Sequence, residues 1–421
     1  MTRETAIRMR LASHQPENGE WFYGWPVALA GFFGTSLTSL GVMSMGTFMV
    51  PVQRALGWSR AEFSAGWSVA TVVGILMAPL LGVLNDKWGA RRLAVPTAVI
   101  CGLVFSLFAT SNGSHIYWLL LWTVYAAANS MMLLVVISST SKAFRVNRGM
   151  ALSVAMCGHG IAAMVIPSIV NFLIEHYGWR AAFIRLGLGW GTLVALCAYA
   201  VFVLYRPESG ADRQVPVPPV KRGVQDVLRS SRFVKLATAN IVFYIVSIAL
   251  TVHLVPMFVD GGLSSATAVI LAGCFGLAMI LGKLLSGIIL DRLTAGAMIA
   301  TWLLTMISGL IILLSAWNSY EPYLAAVVLL GAANGGLAPI FPYLISKHFG
   351  LDNFGKFYGV LCSVQGIGSA SGPLFAALIF DRTQSYHLAI ELAIPALLLV
   401  LALLFSLERN NLFSKTGKIQ V

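Results

Sequence analysis

The sequence predicts an all-α membrane protein with twelve transmembrane helices in two six-helix repeats. Three observations predict it. Of 421 residues, 58% are hydrophobic and only 10% are charged, and mean hydropathy is +0.81. A soluble domain carries about 25% charged residues. Apolar segments of about 20 residues, enough to cross a bilayer, recur twelve times. The second half of the chain also restates short stretches of the first at nearly constant spacing.

The elements follow in order, most of them bounded by charge. A polar N-terminal tail, 1–24, carries Arg3, Arg8 and Arg10 and lacks the apolar core of a cleaved signal peptide. Helix 1 spans 25–52 and stops before Arg54. Helix 2 spans 60–84, from Arg60 to just before Lys87. Helix 3, 93–111, follows Arg91 and Arg92. Helix 4, 116–141, ends at Lys142. Arg145 and Arg148 precede helix 5, 149–174. Helix 6, 179–205, opens with Arg180 and Arg185. The longest polar stretch, 206–232, is rich in proline and charge and reads as a linker. Helices 7 to 12 span 233–259, 266–290, 295–316, 321–345, 357–380 and 386–407, and a tail, 408–421, follows. The halves are therefore 25–205 and 233–407. Long helices, rather than alternating segments of about ten residues, exclude an outer-membrane barrel.

The net charge of +12 is explained by topology rather than by nucleic acid. With both termini cytoplasmic, only Arg54, Arg60, Arg180, Arg185 and Arg382 of the 28 Lys and Arg fall at the outer rim, and Lys283 falls inside the membrane. The rest collect on the cytoplasmic side, which predicts a multi-pass inner-membrane protein. Five cysteines, one to a helix, show no metal or disulfide spacing and read as small packing residues. No nucleotide loop, nucleophile constellation or metal spacing appears, so neither an enzyme nor a cofactor is predicted.

The repeat is specific. "GVLNDK" at 82–87 matches "GIILDR" at 287–292, "MVPV" at 49–52 matches "LVPM" at 254–257, and "GWSRA" at 57–61 matches "GLSSA" at 262–266, all at offset 205. Asn129 and Asn334, each preceded by "AA", share that offset. Gly160, Ile161 and Pro167 match Gly366, Ile367 and Pro373 at offset 206. Parallel repeats of this kind belong to transporters that bind substrate near mid-membrane between the halves and rock one half on the other.

"GVLNDKWGARR" (82–92) closely resembles the loop between helices 2 and 3 of the major facilitator superfamily, G-x-L-x-D-x-x-G-x-R-R. That resemblance covers the whole chain. It implies the major facilitator fold and a cytoplasmic gate at Gly82, Asp86, Gly89, Arg91 and Arg92, with Asp291 and Arg292 as a degraded second copy. Gly82 is expected to permit close helix approach, and the alternative for the gate is an ordinary charged helix end. "FRVNRGMALSVAMCG" (144–158) and "YGW" (23–25) resemble the monocarboxylate porter group and its bacterial oxalate/formate-like branch. Phe144, Arg145, Arg148, Ala151, Ala155 and Gly158 fit that pattern, while Ser153 and Cys157 replace its small residues.

Lys283 is the singular charge. It lies eight residues before Asp291, about 12 Å along a helix, where a charge costs about 2.5–3.5 kcal/mol on insertion scales. Its helical neighbours Gly276, Met279, Ser286 and Gly287 are mostly small, the mark of a packed inward face. Leu277, Leu281, Leu284 and Ile288 form a separate stripe for lipid. Snorkelling is the rival reading, but the stem is too short from this depth. Ala78 stands opposite in the repeat, so the charge is not architectural. The porter resemblance implies an arginine here that grips a carboxylate. Lysine keeps the charge without the bidentate fork.

Other candidates are weaker. Asn129, Asn334, Tyr125 and Gln365 are candidate substrate contacts, and the two asparagines serve equally as interhelical bonds. His159, opposite Gln365, and His253, opposite Phe48, are proton-coupling candidates or neutral, hydrogen-bonded histidines. The lysine of helix 1 and the aspartate one turn before the helix 8 cation, both common in the porter group, are absent here; the latter position is Met279. The prediction is a secondary transporter of a small organic anion of the monocarboxylate type, coupled to a proton or a counter-anion and acting as a monomer in the bilayer. The alternative is a proton-coupled exporter of drugs or other small molecules, which normally needs a buried acid. Glu175, Asp260 and Glu391 all sit near helix ends instead.

Overall fold

The computed structural model describes residues 19–144, 148–205, 229–290, 295–315, 320–349 and 354–412, and all its regular structure is helical. Helix α1 comprises Gly19–Thr38 and Leu40–Leu56. The run Arg60–Leu107 holds α2 and α3, which turn over at Gly89 (φ 74°). Helix α4 is His115–Ala143. Helix α5 is Arg148–Met156 and then Gly158 onward. Gly178 (φ 77°) turns it into α6, which ends in a π-helical turn, Ala200–Tyr205. The second half is α7 (Ser231–Asp260), α8 (Ser265–Leu290), α9 (Ala295–Ser315), α10 (Tyr320–Leu337 and Ile340–Phe349), α11 (Phe354–Thr383) and α12 (His387–Leu412).

Two breaks have local causes. In α1, Thr38 and Ser39 return their hydroxyls to the carbonyl of Thr35 at 2.8 and 3.0 Å, a competition that bends helices. In α5, the amides of Cys157 and Gly160 bond three residues back, to the Val154 and Cys157 carbonyls. This tight turn interrupts the helix beside His159.

Each half has its own apolar core. The first is dominated by aromatic rings, including Phe48, Phe105, Phe108, Trp118, Trp122 and Phe183. The second is built from α7 to α12 around residues such as Phe243, Leu303, Leu330 and Leu397. The outer surface is also apolar, with Leu76, Leu80, Ile116 and Leu120 exposed, as lipid contact requires. The halves meet where α2 packs on α11, α5 on α8 and α1 on α7. The end of the bundle holding the start of α1 and the end of α12 is termed proximal, and the opposite end distal. Most of the linker 206–232, much of both tails, Arg145, Asp291 and Arg292 fall outside the described residues.

Candidate functional site

The inter-half contacts repeat the internal symmetry of the sequence. A Cβ on Gly160 of α5 would lie 2.2 Å from Ile280 of α8, and one on Gly366 of α11 would lie 2.3 Å from Ile75 of α2. Offsets of 206 and 205 relate these pairs, so one contact is made twice. One turn or two distally, Ser68 of α2 donates to the Ala370 carbonyl at 2.5 Å. In the equivalent place, Gly273 of α8 approaches the Met164 carbonyl. Glycine is required at 160 and 366 because a side chain would enter the facing isoleucine.

Lys283 lies three residues proximal to Ile280, about 4.5 Å along the axis. Gly273, Gly276 and Ile280 all face α5, and Lys283 continues that face by helical spacing. The lipid stripe expected at Leu277, Leu281 and Leu284 is exposed, while Lys283 is half-buried. Met279 and Ser286 turn instead to α10, where the Ser286 hydroxyl donates to the Gly336 carbonyl at 2.8 Å. Lys283 has no ion pair among the described residues, and its electrostatic neighbours are Cys157 and His159 of α5. Lys283 and His159 were expected separately, and both lie beside the Gly160–Ile280 contact, one on α8 and one on α5. His159 Nδ1 is 3.3 Å from the Met156 carbonyl at the α5 break. At the symmetry-related place stand Gln365 and Ala78, one half-buried and one exposed, without charge. The cation site is therefore one-sided.

The other candidates separate. Asn334 on α10 is buried and its Oδ1 accepts from Ser247 of α7 at 3.1 Å. Asn129 on α4 holds a buried Oδ1 with no protein partner. Tyr125 is 1% exposed among aromatic rings, and its hydroxyl accepts from the Gly41 amide at 3.1 Å. It braces the α1 break from within the wall. His253 is fully buried, with Nδ1 2.7 Å from the Tyr386 hydroxyl and Nε2 2.9 Å from the Pro373 carbonyl. It belongs to a distal network, away from Lys283. Asn240 on α7, which pattern reading passed over, is fully buried, and neither amide atom has a hydrogen-bond partner among the described residues.

That distal network is what sequence reasoning missed. Arg60, at the start of α2 and 6% exposed, pairs with Asp260 at the end of α7 at 2.6 Å. It also bonds the hydroxyl of Tyr386, the residue just before α12, and lies over the Phe380 ring at 3.5 Å. Asp381 of α11 accepts from the amides of Arg60 and Ala61 at 3.1 and 2.9 Å. A carboxylate of one half thus caps a helix of the other, where the helix dipole favours it. Ser59 and Glu62 complete the cap with a capping box. Repeat asymmetry does mark Arg60, since Ser265 stands opposite it. Its partners lie 200 to 326 residues away in the chain, which hides the network from local patterns.

The proximal end differs. Every cross-half hydrogen bond among the described residues joins 60–68 of α2 to 260 and 369–386. Gly82 lies on α2, and among the described residues no heavy atom comes within 4 Å of where its Cβ would be, so the expected close approach is not seen among them. Gly89 takes positive φ and makes the α2–α3 turn, and Arg91 and Arg92 are exposed. Asp86 falls on α2, with its side chain outside the described set.

Two six-helix halves packed through α1 on α7, α2 on α11 and α5 on α8 carry the internal repeat of the sequence into three dimensions. The chain belongs to the Major Facilitator Superfamily, whose family model matches residues 31–292 and 254–418. Among curated proteins it resembles monocarboxylate transporter 13 of Bos taurus, 25% identical over 406 residues, 95% of this chain and 92% of that one. It also resembles an uncharacterized MFS-type transporter, YhjX, of Escherichia coli (strain K12), 24% identical over 318 residues, 74% and 77% of the two chains. In fold it is similar to a bacterial homologue of the human lysosomal transporter Spinster, solved in an inward-facing, unoccupied conformation. The TM-score is 0.71 at 17% identity, over 92% of this chain and 97% of that one.

Proposed function

We propose that this transporter moves a small organic anion of the monocarboxylate type across the inner membrane by alternating access, coupled to a proton. Lys283 carries the reading: a cation on the inter-half face, with no acid paired to it among the described residues, at the proximal edge of the seal. A carboxylate there meets a charge in a low-dielectric setting, where attraction is stronger than in water. Asn129, Asn334 and Gln365 are further polar groups within the bundle that the solute meets on its path, not partners of Lys283 itself. Resemblance to monocarboxylate transporters over nearly the whole chain supports the substrate class.

His159 is the coupling group, since it lies within electrostatic reach of Lys283. A carboxylate placed between the two attracts a proton to the imidazole, so anion and proton bind better together than apart. With the Lys- and Arg-rich proximal end in the cytoplasm, the closed distal end makes this an inward-facing state. The gate at Asp86, Arg91 and Arg92 forms in the opposite state, and one chain suffices for the cycle.

Uptake into proteoliposomes tests the proposal with a panel of radiolabelled carboxylates and an imposed pH gradient. Lys283→Arg retains part of the transport, and Lys283→Gln loses it while still inserting. His159→Gln keeps anion exchange and loses the response to the gradient. Undiminished carboxylate uptake by Lys283→Gln defeats the reading.

A further inference from the structure

The lipid-facing side of the second half carries a groove that the transport cycle does not use. Helices α11 and α12 each pack on α7 but touch one another little. Where they part, α7 becomes the floor of a cavity of about 500 Å³. Phe375, Ile379, Ala389 and Ala393 are typical of its walls. Phe375, Leu378 and Leu392 are exposed along it, so it opens towards lipid. On one side it runs from Tyr386, just before α12, to Ala396, and on α11 from Gly372 to Arg382. Each distance is ten residues, roughly 15 Å. That is the depth of one leaflet, half of a hydrocarbon core of about 30 Å.

Only three lining residues are polar: His253, Tyr386 and Arg382. The first two are committed to each other, to the Pro373 carbonyl and to Arg60. Arg382 sits at the distal mouth, one residue before the end of α11, exposed and without an ion pair among the described residues. Its neighbour Asp381 is engaged by the α2 amides.

We propose that this groove is a binding site for one anionic phospholipid of the distal leaflet, its phosphate on Arg382 and an acyl chain lying along α7. Charge complementarity selects the headgroup, and the length and apolar lining of the groove select the chain. The occupant lies against His253 and Tyr386, the groups behind Arg60, so a bound lipid supports the closed distal end. This inference rests on membrane embedding and does not depend on which solute is carried.

Thermal unfolding of the purified full-length protein tests it, with phosphatidylglycerol and phosphatidylcholine of identical chains as probes, because a ligand of the folded state raises its Tm. Phosphatidylglycerol should raise Tm by about 3 °C or more beyond phosphatidylcholine. Arg382→Gln should erase that difference. The double variant Arg91→Gln, Arg92→Gln, at the proximal end, should leave it unchanged. Ala393→Trp, which fills the groove, should erase the response to both lipids, and if it does not fold, Arg382→Gln carries the test. Equal stabilisation by the two lipids, a preference that survives Arg382→Gln, or stabilisation by a free fatty acid but not by phosphatidylglycerol overturns the proposal.

Discussion

At the distal end Arg60 meets Asp260, Asp381 and Tyr386 of the other half. At the proximal end Gly82 has nothing within 4 Å of its Cβ position among the described residues, and Arg91 and Arg92 stand exposed. The same repeat built both ends, so the difference lies in a few side chains and not in the fold. The six cross-half hydrogen bonds seen among the described residues contribute about 1 kcal/mol net apiece. Their sum is on the scale of the roughly 5.5 kcal/mol that takes a two-state population from 1:99 to 99:1. A handful of polar contacts is therefore on the scale that biases a two-state opening, while the apolar cores of each half stay intact.

The comparison can be broken from either side. Arg60→Gln should have the largest effect. It strips a buried cation from the Asp260 carboxylate and the Tyr386 phenol, and should cost the distal-closed state about 3 kcal/mol. Distances between spin labels placed across the distal end would lengthen, and unchanged distances would remove Arg60 from the latch. Gly46→Val comes next. A Cβ at Gly46 would lie 2.6 Å from the Val252 carbonyl, so α1 must move off α7 at about 1–3 kcal/mol. Thiol labelling of a cysteine placed in that seam would accelerate. Tyr386→Phe removes the hydroxyl shared by Arg60 and His253 and should cost about 1–2 kcal/mol, read as a lower Tm. Gly82→Ala should be the mildest, within about 1 kcal/mol in Tm. If it destabilises this state strongly, the proximal end is not open.

Much of this was legible in the sequence because it is periodic. Twelve apolar spans, the two offsets and the placing of Lys283 opposite a leucine stripe all follow from spacing, and Leu277, Leu281 and Leu284 are exposed as that spacing requires. Pairing across hundreds of residues is not periodic. Arg60 read as one more rim cation and Asp260 as one more helix end, although each completes the other. His253 drew attention as a titratable group, but its two nitrogens are both bonded within the latch. Tyr125 followed Asn129 by helical spacing, yet burial turned it into the aromatic wall. The break at Cys157, which carries His159 towards Lys283, leaves no mark in the apolar pattern of helix 5.

The most direct test of the central claim is carboxylate binding to purified protein, wild type against Lys283→Gln, followed by thermal shift over a panel of carboxylates, sugars and cationic compounds. Stabilisation by one carboxylate class that disappears in Lys283→Gln is the predicted result. Stabilisation by cations or neutral compounds alone, or carboxylate stabilisation that survives the substitution, would make Lys283 a structural residue and contradict the account.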